Sequence, residues 1–136
     1  MTNKKICVVG AGKWGKNHIN TLASLNCLGG IIDNDDSQLI KFKDKYPSVG
    51  YYNRIEDSLD DKYDGYVIAT NAQYHFENAK LLIENGHHIL IEKPITLDSN
   101  DAIELDRLST KYGVNLMVGH VLLFHPAFQK IKYLAY

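Results

Sequence analysis

Between Gly10 and Gly15 the chain reads Gly-Ala-Gly-Lys-Trp-Gly, a G-x-G-x-x-G spacing suited to holding a pyrophosphate on bare backbone. Each glycine has its own task. Gly10 permits a tight strand-to-helix turn, Gly12 lets backbone approach the pyrophosphate, and Gly15 lets the helix pack close to the strand. Negative charge would then rest on the free N–H groups and positive dipole end of that helix. Lys13 and Trp14 lie inside the loop, where Trp14 either packs over the pyrophosphate or is a surface aromatic. Asp33 follows 23 positions after Gly10, at the tip of a second apolar run. A carboxylate there can accept from both adenosine ribose hydroxyls and would repel a 2′-phosphate. Its neighbours Asn34, Asp35 and Asp36 supply no cation, so NAD is expected and NADP disfavoured. The alternative for Asp33 is an N-cap for the helix that starts near Asp36.

These groups need strands and helices to place them, and the apolar pattern supplies both. Ile6–Val9 is an uncharged β-branched run, and Ile19, Leu22 and Leu25 recur at helical spacing after it. Gly30–Ile32 is the second strand, followed by a helix over 37–45 that Pro47 stops, a short strand at Tyr51-Tyr52 and an acidic helix over 56–60. The pattern continues with a strand over 65–69, then a helix carrying Phe76, Ala79, Leu82 and Ile83 and stopped at Asn85-Gly86. Ile89–Ile91 forms a strand that ends on Glu92-Lys93-Pro94. A helix capped by Asp98 or Ser99 then presents Ala102, Leu105, Leu108 and Tyr112 to the core and stops at Gly113. A sixth strand over 116–119 precedes a helix opened by Pro126. This alternation predicts an α/β fold of the Rossmann type, doubly wound, with a mainly parallel six-stranded sheet and helices on both faces. Ligands of such sheets bind beyond the carboxyl ends of the strands, so Gly10–Gly15, Thr70–His75, Glu92–Pro94 and Gly119-His120 should ring one crevice.

Bulk properties exclude several other classes. With 136 residues, 45% hydrophobic, 23% charged and a net charge of −1, the chain has neither the basic surplus of a nucleic-acid binder nor an acidic tail. The six histidines do not fall at ligand spacings: His87 and His88 are adjacent, and His120 and His125 are five apart. No metal site is expected. Cys7 and Cys27 form neither a C-x-x-C nor a larger framework and read as reduced thiols. With no signal-peptide pattern and no apolar run of membrane-spanning length, a cytoplasmic location away from membranes is expected.

The glycine loop, the stretch Ala69-Thr70-Asn71-Ala72-Gln73-Tyr74-His75 and the stretch Gly86–Pro94 together resemble the N-terminal half of the Gfo/Idh/MocA oxidoreductases. The resemblance extends over essentially the whole chain, and the Glu-Lys-Pro element is its most selective part. It implies an NAD-dependent dehydrogenase of a sugar, polyol or nucleotide sugar, with residues 1–120 as the NAD-binding domain and 121–136 as the start of a connection to a second domain. Trp14–His18 and the stretch from Gly119-His120 to His125-Pro126 are similar to members that oxidise nucleotide-linked acetamido sugars.

The resemblance implies that Lys93 faces the nicotinamide and hydrogen-bonds the substrate hydroxyl, and an ammonium suits the alkoxide charge that develops as hydride leaves. Glu92 then orients Lys93 or contacts the cofactor ribose, and Pro94 fixes the turn, for which a cis bond is one device. Thr70 and Asn71 fall where the nicotinamide ribose passes, although the family more often carries proline at the position of Asn71. His75 reaches a cofactor hydroxyl or packs inside the domain; His120 lines the sugar pocket or hydrogen-bonds its loop. Read without these partners, Glu92-Lys93 is a solvated pair in a turn.

Members of this family carry a second domain that supplies a general-base histidine, the sugar pocket and an oligomer interface. His120 and His125 come too early to be that histidine. A dehydrogenase represented by its cofactor domain, inactive alone and homo-oligomeric through the other domain, is therefore the first expectation. The second is a non-catalytic NAD-binding or redox-sensing module acting through a partner chain, for which Phe128, Ile131 and Leu134 on the last helix would be the contact. Flavin or S-adenosylmethionine fits Asp33 and Glu-Lys-Pro less well than NAD.

Overall fold

A computed structural model describes residues 4–135. Strands β1 (Ile6–Val9), β2 (Leu28–Ile32), β3 (Gly50–Tyr52), β4 (Gly65–Ile68), β5 (Ile89–Ile91) and β6 (Leu116–Val118) lie in the order β3-β2-β1-β4-β5-β6, with every pairing parallel. Parallel neighbours require crossovers, and helices α1 (Lys13–Ser24), α2 (Asp36–Lys43), α3 (His75–Glu84) and α4 (Ser99–Tyr112) supply four of them. A final helix, α5 (Pro126–Ala135), follows β6.

Alternation along the strands divides the core in two. Val8, Ile31 and Val67 face one way and pack with Ile19 of α1 and with Leu39 and Phe42 of α2. Cys7, Val9, Ile68 and Ile91 face the other and meet Ala79, Leu82 and Ile83 of α3 and Leu105 and Leu108 of α4. Burial pushes the Cys7 thiol well above its usual range, with the nearby Asp61 carboxylate adding to the effect. Both cysteines are free thiols. Leu82 is fully buried, so Leu82→Ala should cost about 2–5 kcal/mol in a denaturant titration, with an unchanged slope. A smaller cost would mean that α3 is not held by this layer.

Several expected boundaries move. The helix expected over 37–45 is α2 over Asp36–Lys43, capped by Asp35, whose carboxylate accepts from the Ser37 amide at 2.9 Å. The acidic segment is only a 3-10 turn, Glu56–Ser58. Leu25 and Tyr112, assigned to core faces by their spacing, are 62% and 40% exposed. Leu25 is the C-cap of α1, beyond the turn that faces the sheet, and Tyr112 is the last residue of α4, with Lys111 lying over its ring. The 3-10 turn Val121–Phe124 and α5 bury no side chain, leaving Phe128, Ile131 and Leu134 exposed. Tyr136, the last residue of the expected connection, lies outside the described residues.

Candidate cofactor-binding site

The chain order reverses between β1 and β4, and a crevice opens at the carboxyl ends of those strands. Gly10 turns there with φ +94°, and a Cβ on it would lie 2.8 Å from the Ala69 carbonyl oxygen. Gly15 is under a harder constraint: its Cβ would fall 1.7 Å from the Gly10 carbonyl oxygen. Helix α1 can therefore sit against the end of β1 only with glycine at that point. Gly12 is the opposite case, with no atom within 4 Å of where a Cβ would stand. It caps α1 without a side chain, and the Lys16 amide is the donor to its carbonyl, at 2.9 Å. The earlier amides of α1 are thus free for an anion.

The cleft has a volume of about 840 Å³ and is bordered by Gly10, Gly12, Lys13, Trp14, Asp33, Thr70 and Asn71. Asp33 stands across from the glycine loop. Its Oδ2 accepts from the Ala11 amide at 2.7 Å and its Oδ1 from the Asp35 amide at 2.9 Å. The N-cap role considered for it belongs to Asp35 instead. A carboxylate has about four lone-pair positions, so these two bonds orient Asp33 and leave acceptor capacity for ribose hydroxyls. Asn53, just past β3, donates to the Asp33 carbonyl at 3.3 Å and to Asp36 Oδ1 at 2.8 Å, tying the rim together.

Arg54 also borders this end of the cleft, although the residues around Asp33 offer no cation. It arrives through the pairing of β3 with β2, and its guanidinium is held by Glu56 at 3.0 Å. Glu56 therefore engages that cation, and the carboxylates of Asp33 and Asp35 line the same part of the cleft, which disfavours a 2′-phosphate there.

Gly15, His75, Glu92, Lys93, Pro94 and His120 do not border the cleft. His75 is 1% exposed; its Nδ1 lies 2.8 Å from the Pro94 carbonyl oxygen and its Nε2 3.0 Å from that of Thr70. The ring as placed therefore joins the end of β4 to the turn after β5 and keeps no nitrogen for a cofactor hydroxyl. The Lys93–Pro94 bond is cis. Lys93 is exposed and forms no ion pair among the described residues. Glu92 turns away from it and meets His18 Nε2 at 2.7 Å. His120 is exposed beyond β6, its amide bonded to the Val118 carbonyl. The sequence reading gave no positional role to His18, Asn53 or Arg54; the one local clue is that His18 lies one helical turn beyond Gly15 on α1.

The strand order, the glycine turn at the switch point and the acidic residue facing it define a Rossmann dinucleotide-binding domain. Residues 4–120 match the model of the oxidoreductase family with an NAD-binding Rossmann fold, and the chain belongs to this Gfo/Idh/MocA family. It is 29% identical to a UDP-N-acetylglucosamine 3-dehydrogenase of Acidithiobacillus ferrooxidans, over 97% of this chain and 42% of that one. An inositol 2-dehydrogenase of Corynebacterium glutamicum is 30% identical over 94% of this chain and 40% of its own. Among solved structures, the A. ferrooxidans enzyme superposes with a TM-score of 0.90 at 26% identity, covering 100% of this chain and 43% of that one. GenD2 from gentamicin A biosynthesis, solved in complex with NAD, gives 0.92 at 26% identity, covering 99% and 39%. The chain thus spans about two fifths of the length of these relatives.

Proposed function

We propose that this chain holds NAD for a dehydrogenase that oxidises a hydroxyl of a sugar, polyol or nucleotide sugar. The observation that carries this reading is the facing pair at the switch point: the open backbone of Gly12 at the start of α1, and the oriented carboxylate of Asp33 opposite. In it, the free amides of α1 bind the pyrophosphate, with Lys13 and Trp14 beside them, and Asp33 binds the adenosine ribose. Thr70 and Asn71, at the end of β4, line the path toward the nicotinamide. When bound, NAD supplies the hydride acceptor. Lys93 donates a hydrogen bond to the substrate hydroxyl and stabilises negative charge as it grows on that oxygen.

Within this substrate class the reading favours a nucleotide-linked acetamido sugar: Trp14–His18 carries the resemblance to such members, and one relative matched over 97% of this chain is named for UDP-N-acetylglucosamine. His120, exposed beyond β6 on the Lys93 side of the sheet order, is assigned to the sugar end. No described helix is long and apolar enough to cross a membrane, in keeping with a cytoplasmic enzyme.

Asp33→Asn keeps an acceptor for Ala11 while removing the charge. Calorimetric titration of this variant should show NADH affinity reduced by about tenfold, the worth of a charge-assisted hydrogen bond, and a narrowed preference over NADPH. An unchanged ratio between the two cofactors would defeat the ribose assignment.

A further inference from the structure

We propose that His18 is a positioning residue that sets the stance of Lys93 through Glu92, on the opposite flank from the contact between His75 and the Pro94 carbonyl that completes the bracket. The proposal rests on the reading of Lys93 as the group that meets the substrate.

The residues on either side of Lys93 are each anchored by a different helix. On one side, Glu92 is fixed at three points. Its amide donates to the Ile68 carbonyl at 2.9 Å, its Oε1 meets His18 Nε2 at 2.7 Å, and its carboxylate lies against Gly119. A Cβ on Gly119 would come within 3.3 Å of Glu92 Oε2, so the bare end of β6 gives this carboxylate a few tenths of an ångström of room. On the other side, His75 Nδ1 lies 2.8 Å from the Pro94 carbonyl oxygen and Nε2 3.0 Å from that of Thr70, and the tautomer with its proton on Nδ1 donates to Pro94. Between these anchors Lys93 itself is exposed and free of ion pairs among the described residues.

Burial separates this arrangement from a surface ion pair. The His18 and Glu92 side chains are 24% and 13% exposed, so the charge-assisted bond between them is shielded from water that would otherwise compete with it. Glu92 therefore does not neutralise Lys93; its carboxylate is spent on α1. A lysine on a fixed backbone loses fewer stem conformations when it meets a substrate than one on a loose turn, and small misplacements of such a group are costly. Helix α1 also begins at the pyrophosphate loop, and α3 begins just after Thr70. Both anchoring helices therefore start on the side of the sheet where the cofactor cleft opens.

The test is acylation of the Lys93 ε-amine by acetic anhydride, read by peptide mass spectrometry against Lys16 and Lys80 as internal standards, with and without saturating NADH. In ligand-free protein, His18→Leu and Glu92→Ala should each change the relative Lys93 rate by about threefold or more, and the double variant should change it no further. His18→Gln, which restores a donor, should return the rate to within about twofold of wild type. Glu92→Gln keeps the shape and about half of the bond strength and should give an intermediate rate, which decides the matter if His18→Leu does not fold. Wild-type rates in His18→Leu and Glu92→Gln, or additive effects in the double variant, would overturn the bracket even if both variants melt earlier. Protection by NADH answers a separate question. A wild-type Lys93 that NADH does not protect would remove the assignment of Lys93 to the cofactor end, while the ligand-free rates still decide the bracket.

Discussion

On the proposed function, Lys93→Met in a dehydrogenase that carries this domain together with its substrate domain is expected to lower hydride transfer by about 10²- to 10⁴-fold. The range follows from removing a hydrogen-bond donor that acts on charge present mainly in the transition state, which lowers kcat rather than raising KM. Methionine keeps the length and apolar stem of lysine and removes only the ammonium. Because Lys93 does not border the cleft formed by the glycine loop and Asp33, NADH affinity should stay within about threefold, less than the loss of one charge-assisted bond. Absorbance at the reduced-nicotinamide band reports the first quantity and calorimetry the second. A variant that retains more than about a tenth of wild-type turnover would place the proton-handling group elsewhere.

Gly15→Ala should lose both stability and cofactor. The methyl would meet the Gly10 carbonyl oxygen at 1.7 Å, and a backbone atom cannot rotate aside as a flexible side chain can. Helix α1 must move off β1, at a cost of about 3 kcal/mol, equivalent to a melting temperature lower by about 10 °C for a domain of this size. The free amides of α1 move with it, so NADH affinity should fall by at least about tenfold. Gly12→Ala is the informative contrast, since no atom lies within 4 Å of its added methyl. That variant should melt within a few degrees of wild type, because alanine in place of glycine at an N-cap costs about 0.5–1 kcal/mol, yet bind NADH poorly. If Gly12→Ala binds NADH normally, the pyrophosphate does not approach the loop at that residue.

The fold was legible because its signals are local and repeated. Uncharged runs such as Ile6–Val9 and Ile89–Ile91 mark strands buried on both faces, each is followed by an apolar stripe at helical spacing, and two of those helices stop at a glycine, α3 at Gly86 and α4 at Gly113. Errors arose where periodicity continued past the surface that gives it meaning. Leu25 and Tyr112 keep the spacing of a core face but stand at helix ends, where no neighbouring layer reaches them. The 3-10 turn at Glu56–Ser58 was read as a helix because acidic first-turn residues suit either element.

In the site, the sequence alone identified groups whose task depends on their immediate neighbours along the chain. Gly10 and Gly15 belong to this class: one must turn with positive φ, the other must lie against the carbonyl of the first, and six residues of sequence contain the whole argument. Asp33 follows nearly as directly, because a strand end is a defined place in a parallel sheet. The pairings around Lys93 are of another kind. His18 and Glu92 are 74 residues apart, His75 and Pro94 are 19 apart, and Arg54 reaches the cleft only because β3 lies beside β2. No spacing rule relates a face of α1 to the end of β5, six strands and helices further along the chain; strand order and helix rotation do that. Chain folding therefore turned Glu92 from a partner of Lys93 into a partner of His18, and left Lys93 exposed between two anchored neighbours.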